Sequence, residues 1–174
     1  LTNATSAPSS DAPPWHETAP RRVRDVTARP LTADGVCWVA AHGGAGASTL
    51  AKVLGGTDIG CRWPDSTLDE PARVLLVART DAQGLLAAAR AFNAVIDNRY
   101  PAGMDLLGLV LVADLPGRLP QTLRSRVRML RSKAPMWQVP WIPQWRLGRQ
   151  VDRLPKQLVK LGRVVQTTQR GGGR

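Results

Sequence analysis

The 174-residue sequence has two cysteines, two histidines, one tyrosine and one phenylalanine. Cys37 and Cys61 are too few for a disulfide framework, and no second Cys or His pair gives them a zinc-ligand spacing. Zinc-type catalysis is not expected. His16 falls in a polar N-terminal stretch and His42 in a glycine-rich one, so no Ser/His/Asp or Cys/His arrangement for a hydrolase emerges. Long apolar runs are missing too: the longest, residues 106–113, is far short of the roughly 20 residues that span a bilayer and suits a buried strand. The first residues, LTNATSAPSS, show no basic region followed by an apolar one, so no secretory signal is expected and the default location is cytoplasmic. Asn3-Ala4-Thr5 fits the glycosylation pattern, and without a secretion signal it is read as chance.

Acidic residues are nearly missing from the last third. Residues 116–174 hold 14 Lys and Arg against one acid, Asp152, while residues 1–34 hold 4 against 4 and residues 35–115 hold 6 against 8. The net charge of +11 is therefore a C-terminal property.

A hydrophobic fraction of 43% and this length suit one α/β domain with tails. Residues 1–34, rich in Ala, Ser, Thr and Pro with few aliphatics, are expected to be a disordered tail because they cannot offset ordering entropy by burial. From Val36 onward, short apolar runs alternate with helical patterns. Strands are expected over 36–41, 74–78, 106–113 and 137–142, and residues 57–72, with Pro64 and Pro71, read as irregular. Helices are expected over 48–54, after Thr80 (a cap with Gln83 three residues on, and Leu85, Leu86, Ala89, Phe92 and Ile96 facing inward), over 121–133, and from Pro155 to about Thr168. Near-continuous apolar strands separated by helices predict a small parallel sheet of about four strands with helices on both faces. The expected organisation is a P-loop-like α/β domain over 35–150, a basic amphipathic helix over 151–170 and a flexible tail over 171–174.

Between the first strand and first helix stands His42-Gly43-Gly44-Ala45-Gly46-Ala47-Ser48-Thr49. Small residues there let backbone N–H groups and a helix N-terminus approach phosphate oxygens. The segment resembles the deviant Walker A loop, KGGxGK[ST][ST], of the ParA/MinD family of partition and positioning ATPases. It is also similar to short actinobacterial proteins of this P-loop type. VLLVARTDAQGLLAAARAF, LLGLVLVADLPGRLPQTLRSRVRML and WQVPWIPQWRLG extend the resemblance over roughly residues 35–150.

The resemblance implies a site for ATP with Mg2+ built on Gly43, Gly44, Ala45, Gly46, Ala47, Ser48 and Thr49, with the Ser48 hydroxyl on the metal. It also implies that Pro143, Gln144, Trp145 and Arg146 lie by the base, with Asp114 near it. Both lysines of the pattern are replaced, by His42 and by Ala47, and loss of the phosphate-binding lysine at Ala47 weighs against efficient hydrolysis. Arg79, closing the VLLVA strand, is the substitute cation expected at the ligand edge. Asp58, Asp65 and Asp69 follow the first helix, and none closes an apolar strand that would supply the family's aspartate.

In the basic third, Arg124, Arg128 and Arg131 fall within about 60° of one another around a helix, and Lys156, Lys160 and Arg163 flank the stripe Leu154, Leu158, Leu161, Val165. Three partners fit such helices: non-specific DNA, which the ParA resemblance also implies; an acidic protein; and a membrane surface, as for the C-terminal helix of MinD-like relatives. A DNA-associated accessory or positioning protein is the expectation, and a non-enzymatic scaffold of a DNA-transfer or other assembly the alternative. Trp137, Trp141 and Trp145 read as core before they read as stacking faces.

Overall fold

The computed structural model describes Trp15, Leu31, Thr32 and residues 34–170, with side chains as far as Thr167. Five parallel strands, β1 (Cys37–Ala40), β2 (Thr57–Asp58), β3 (Arg73–Arg79), β4 (Asp105–Val112) and β5 (Met136–Val139), form one sheet in the order β2-β1-β3-β4-β5. The helices are α1 (Ala47–Leu54), α2 (Ala82–Ile96), α3 (Gln121–Arg131), the single turn α4 (Pro143–Arg146) and α5 (Lys156–Arg170). The four expected strands are present. The fifth, β2, lies in the stretch read as irregular, paired in parallel with β1 through Cys37 with Thr57 and Trp38 with Asp58. Two exposed residues carry no alternation for a sequence to display.

Strand side chains alternate between two cores. Cys37, Val39, Val74, Leu76, Ala78, Leu109 and Leu111 pack under α2 and α3, while Val36, Trp38, Leu75, Val77, Val110 and Val112 pack under α1 and α5. Since α1 leaves β1 for one face and α2 leaves β3 for the other, the chain parts at the carboxyl ends of β1 and β3. In doubly wound sheets that parting is the ligand crevice.

Two details of α2 differ from expectation. Its N-cap is Asp81, whose carboxylate accepts from the Gly84 amide at 2.7 Å, whereas the Thr80 hydroxyl accepts from the Asp114 amide at 3.1 Å. Asp81 carries the stronger acceptor, and Thr80 is still held in the sheet by its amide on the Val112 carbonyl. The buried face runs through Leu85, Ala88, Ala91 and Phe92, leaving Leu86 and Ile96 exposed. The helix expected over 121–133 ends at Arg131.

Parts of the expected N-terminal tail are packed. Trp15 is buried, its ring 4.8 Å from that of Trp63 and its indole N–H donating to the Ala41 carbonyl at 3.2 Å, and Thr32 bridges Pro71. An indole buries enough apolar surface to hold a residue that its polar neighbours would not. Residues 1–14, 16–30 and 33, and the tail over 171–174, lie outside the described residues. Among those described, no helix is long and apolar enough to cross a membrane.

Candidate nucleotide-phosphate crevice

The loop after β1 turns through left-handed Gly44 (φ 75°) and Gly46 (φ 103°) into α1. A β-carbon is disfavoured at both angles, which accounts for glycine there. Gly46 occupies the N-cap position, and neither a capping side chain nor an acidic residue in the first turn answers the free N–H groups of α1. The positive end of the helix dipole thus meets no acidic side chain from α1 itself. Ala47 is buried in the core below, so this position offers only its backbone.

Gly43 to Thr49 line one hollow of about 400 Å³ together with Asp58, Cys61 and Arg79. Arg79 reaches across from β3, donating from Nε to the Gly44 carbonyl at 2.9 Å and placing a terminal nitrogen 3.4 Å from the Asp114 carboxylate. Arg79, expected at the ligand edge, stands on the loop. Asp114 reaches the site through Arg79 and is not among the residues lining the hollow, and neither is Gln144, whose carbonyl caps α4 by accepting from Leu147 and Arg149.

Asp58 is the residue that sequence reasoning missed. It ends β2 beside β1, and its carboxylate accepts from the Ser48 hydroxyl at 2.5 Å and from the Gly60 amide at 3.0 Å. A strand-end aspartate after α1, which the sequence does not reveal, is present. Its only sequence signal is its place after Gly55-Gly56. Both thiols are disfavoured as thiolates. Burial, with the Glu70 charge, pushes Cys37 up to about 12, and burial followed by the Asp58 charge pushes Cys61 up as well.

A family of unknown function, DUF6668, matches residues 34–164. The chain belongs to DUF6668. No curated protein and no solved structure matches it. The DUF6668 match takes in the glycine loop, Asp58, Arg79, Asp114, all of α3 and the first half of α5.

The basic helices of this DUF6668 chain do not form one surface. On α3, Arg124, Arg128 and Arg131 are exposed while Val127 and Leu130 enter the α2-side core. On α5, Lys156, Lys160 and Arg163 are exposed while Leu158, Leu161 and Val165 are fully buried in the α1-side core. The six cations expected to act together thus lie on helices covering opposite faces of the sheet. Trp137 and Trp145 pack against the α1-side core, and Trp141 lies under the Arg146 guanidinium at 5.6 Å.

Proposed function

We propose that this chain is a ParA/MinD-like P-loop protein with a degenerate site that takes ATP with magnesium at residues 43–49, and that it works in the cytoplasm as a DNA-associated accessory or positioning protein rather than an efficient ATPase. The observation that carries the nucleotide half is Arg79 Nε on the Gly44 carbonyl, a cation brought from the neighbouring strand to a glycine loop that has lost its lysine. Arg79 is free enough to serve. Its ion pair with Asp114 is long and about one third exposed, which limits it to roughly 0 to 1 kcal/mol, whereas a charge-assisted bond to phosphate contributes about 1.5 to 3 kcal/mol.

Ser48 and Asp58 fit magnesium as a hydroxyl and a carboxylate oxygen in contact, the hard donors that ion takes. Among the described residues no group of three His, Cys, Asp or Glu could hold a metal alone, so phosphate and water oxygens would complete the shell. Magnesium bound there would neutralise phosphate charge. Slow turnover follows from Ala47, which leaves no lysine to meet charge developing on a transferred phosphoryl group.

For the second half, exposed Arg124, Arg128 and Arg131 offer the cations that neutralise a nucleic-acid backbone. A membrane surface is a poor fit, because the apolar stripe of α5 that would enter lipid is spent on the core. A non-enzymatic scaffold binding an acidic protein through α3 is the second reading, favoured by one observation: Ser48 and Arg79 already have partners within the chain. Isothermal titration with ATP and magnesium separates the two. Saturable heat in the micromolar to millimolar range supports the nucleotide site, and none at high protein concentration supports the scaffold.

A further inference from the structure

His42 makes two hydrogen bonds that together fix its state. Its Nε2 lies 3.2 Å from the Arg79 backbone nitrogen, and its Nδ1 lies 2.8 Å from the Gly43 carbonyl oxygen. A backbone N–H can only donate, so Nε2 is the bare nitrogen, and the one proton of the neutral ring is on Nδ1, donating to Gly43. One tautomer satisfies both contacts. A lysine ammonium has three donors and no acceptor, so the residue His42 replaces in the Walker-type pattern could not make the Arg79 contact. The substitution changes the bonding role of the position as well as its charge.

We infer that His42 is a clasp between the two rims of the crevice, the glycine loop and the end of β3, and that its protonation releases the Arg79 amide and favours an anion on the loop. The ring is the shared wall of two hollows. The one of about 400 Å³ holds the glycine loop and Asp58; the other, of about 200 Å³, lies towards α2 and is lined by Trp15, Gln83 and Arg90 among others. Protonation places an N–H on Nε2 opposite the Arg79 N–H, so attraction becomes repulsion and the tie between the rims is lost.

The charged groups that line the two hollows with the ring are Arg79 on β3, Arg90 on α2 and Asp58 at the end of β2, with Asp114 after β4 paired to Arg79. The Cys61 thiol in the same hollow is kept neutral by burial. A phosphate on the loop adds negative charge beside the ring and tips the balance towards the imidazolium. By linkage, the anion-bound state holds the proton more tightly, so binding takes up a proton and strengthens as pH falls through the range in which histidine titrates. This coupling rests on the phosphate reading above, whereas the clasp rests on the two hydrogen bonds alone.

The test is 15N NMR of the ligand-free full chain from about pH 8 to about pH 5. The expected result is an Nδ1–H ring for His42 at the alkaline end and an Arg79 amide resonance that moves with the ring's own titration, and that stays still in His42→Gln. An Nε2–H ring at the alkaline end, or an Arg79 amide indifferent to the ring's titration, overturns the clasp. Inorganic pyrophosphate is then titrated at both ends of the range. Coupling requires the ratio of acid-end to alkaline-end affinity to be at least about tenfold greater in wild type than in His42→Gln, which carries the titration of pyrophosphate itself. The same ratio in both overturns the coupling. No binding at either end, with the Arg79 amide still following the ring, upholds the clasp and removes the phosphate reading.

Discussion

The Ser48 hydroxyl lies 2.5 Å from the Asp58 carboxylate, tying the first turn of α1 to the end of the two-residue strand β2. If this pair supplies protein oxygens to magnesium, Asp58→Ala removes the metal's contribution to ATP affinity, on the order of tenfold, and leaves metal-free affinity unchanged or raised because a negative charge near the phosphates is gone. Titrations with magnesium and with a chelator check this. An unchanged magnesium effect would show that the pair is a structural hydrogen bond only.

Gly84 positions the crevice from the α2 side. A β-carbon there would run into the Arg79 carbonyl oxygen and stand 2.9 Å from the Arg79 nitrogen, so Gly84→Ala must push the first turn of α2 away from the end of β3. Overpacking of this kind costs about 1 to 3 kcal/mol. Chemical denaturation is expected to register that loss, with shifts of the Arg79 and His42 resonances. A fully stable variant with an unmoved Arg79 would contradict the packing described.

The loop between β2 and β3 is pinned by Glu70, a buried carboxylate that accepts from both terminal nitrogens of Arg62 and from the Asp65 amide. The Arg62 bonds hold its carboxyl below the usual range, against a smaller opposing effect of burial. A depressed carboxyl contributes stability that is present above its unfolded value of about 4.3 and lost as pH falls through the folded one. Arg62 is 41% exposed, which reduces the pair from the range of buried ones to about 1 to 2 kcal/mol. Glu70→Gln should therefore be less stable than wild type at pH 7 by about that amount, with the gap closing below about pH 4. A gap that persists in acid would mean the carboxylate charge is not its source.

Opposite placement of α3 and α5 changes what DNA binding should look like. Six phosphate contacts would give a slope of log K against log salt of about −5, whereas three from one helix give about −3. The expectation is about −3, moving towards zero when Arg124, Arg128 and Arg131 are replaced by Gln and staying put when Lys156, Lys160 and Arg163 are. Equal losses from the two triples would mean that nucleic acid wraps both faces.

The legible parts of this fold were those written as runs. The strand segments 74–78 and 106–113 are apolar at nearly every position, and the glycine loop is bounded by a strand and a helix, so the sheet, the loop and Arg79 at its rim could all be placed from the sequence. What stayed hidden depends on single contacts between distant residues. Asp58 matters because β2 lies beside β1, Trp15 because its indole reaches the Ala41 carbonyl 26 positions on, and His42 because β3 delivers the Arg79 amide to its ring. The same holds for the basic helices. Their stripes are plain, but which face of the sheet each covers is decided by strand order.

The most direct test of the phosphate crevice is 15N NMR of the full chain titrated with magnesium pyrophosphate, wild type beside Arg79→Ala. The account predicts that wild-type shifts concentrate in the amides of Gly43 to Thr49 and at Arg79, and that Arg79→Ala, losing a charge-assisted bond of about 1.5 to 3 kcal/mol, binds roughly 10- to 100-fold more weakly. Loop amides that do not move at saturating ligand, or shifts of equal size and affinity in Arg79→Ala, would contradict it.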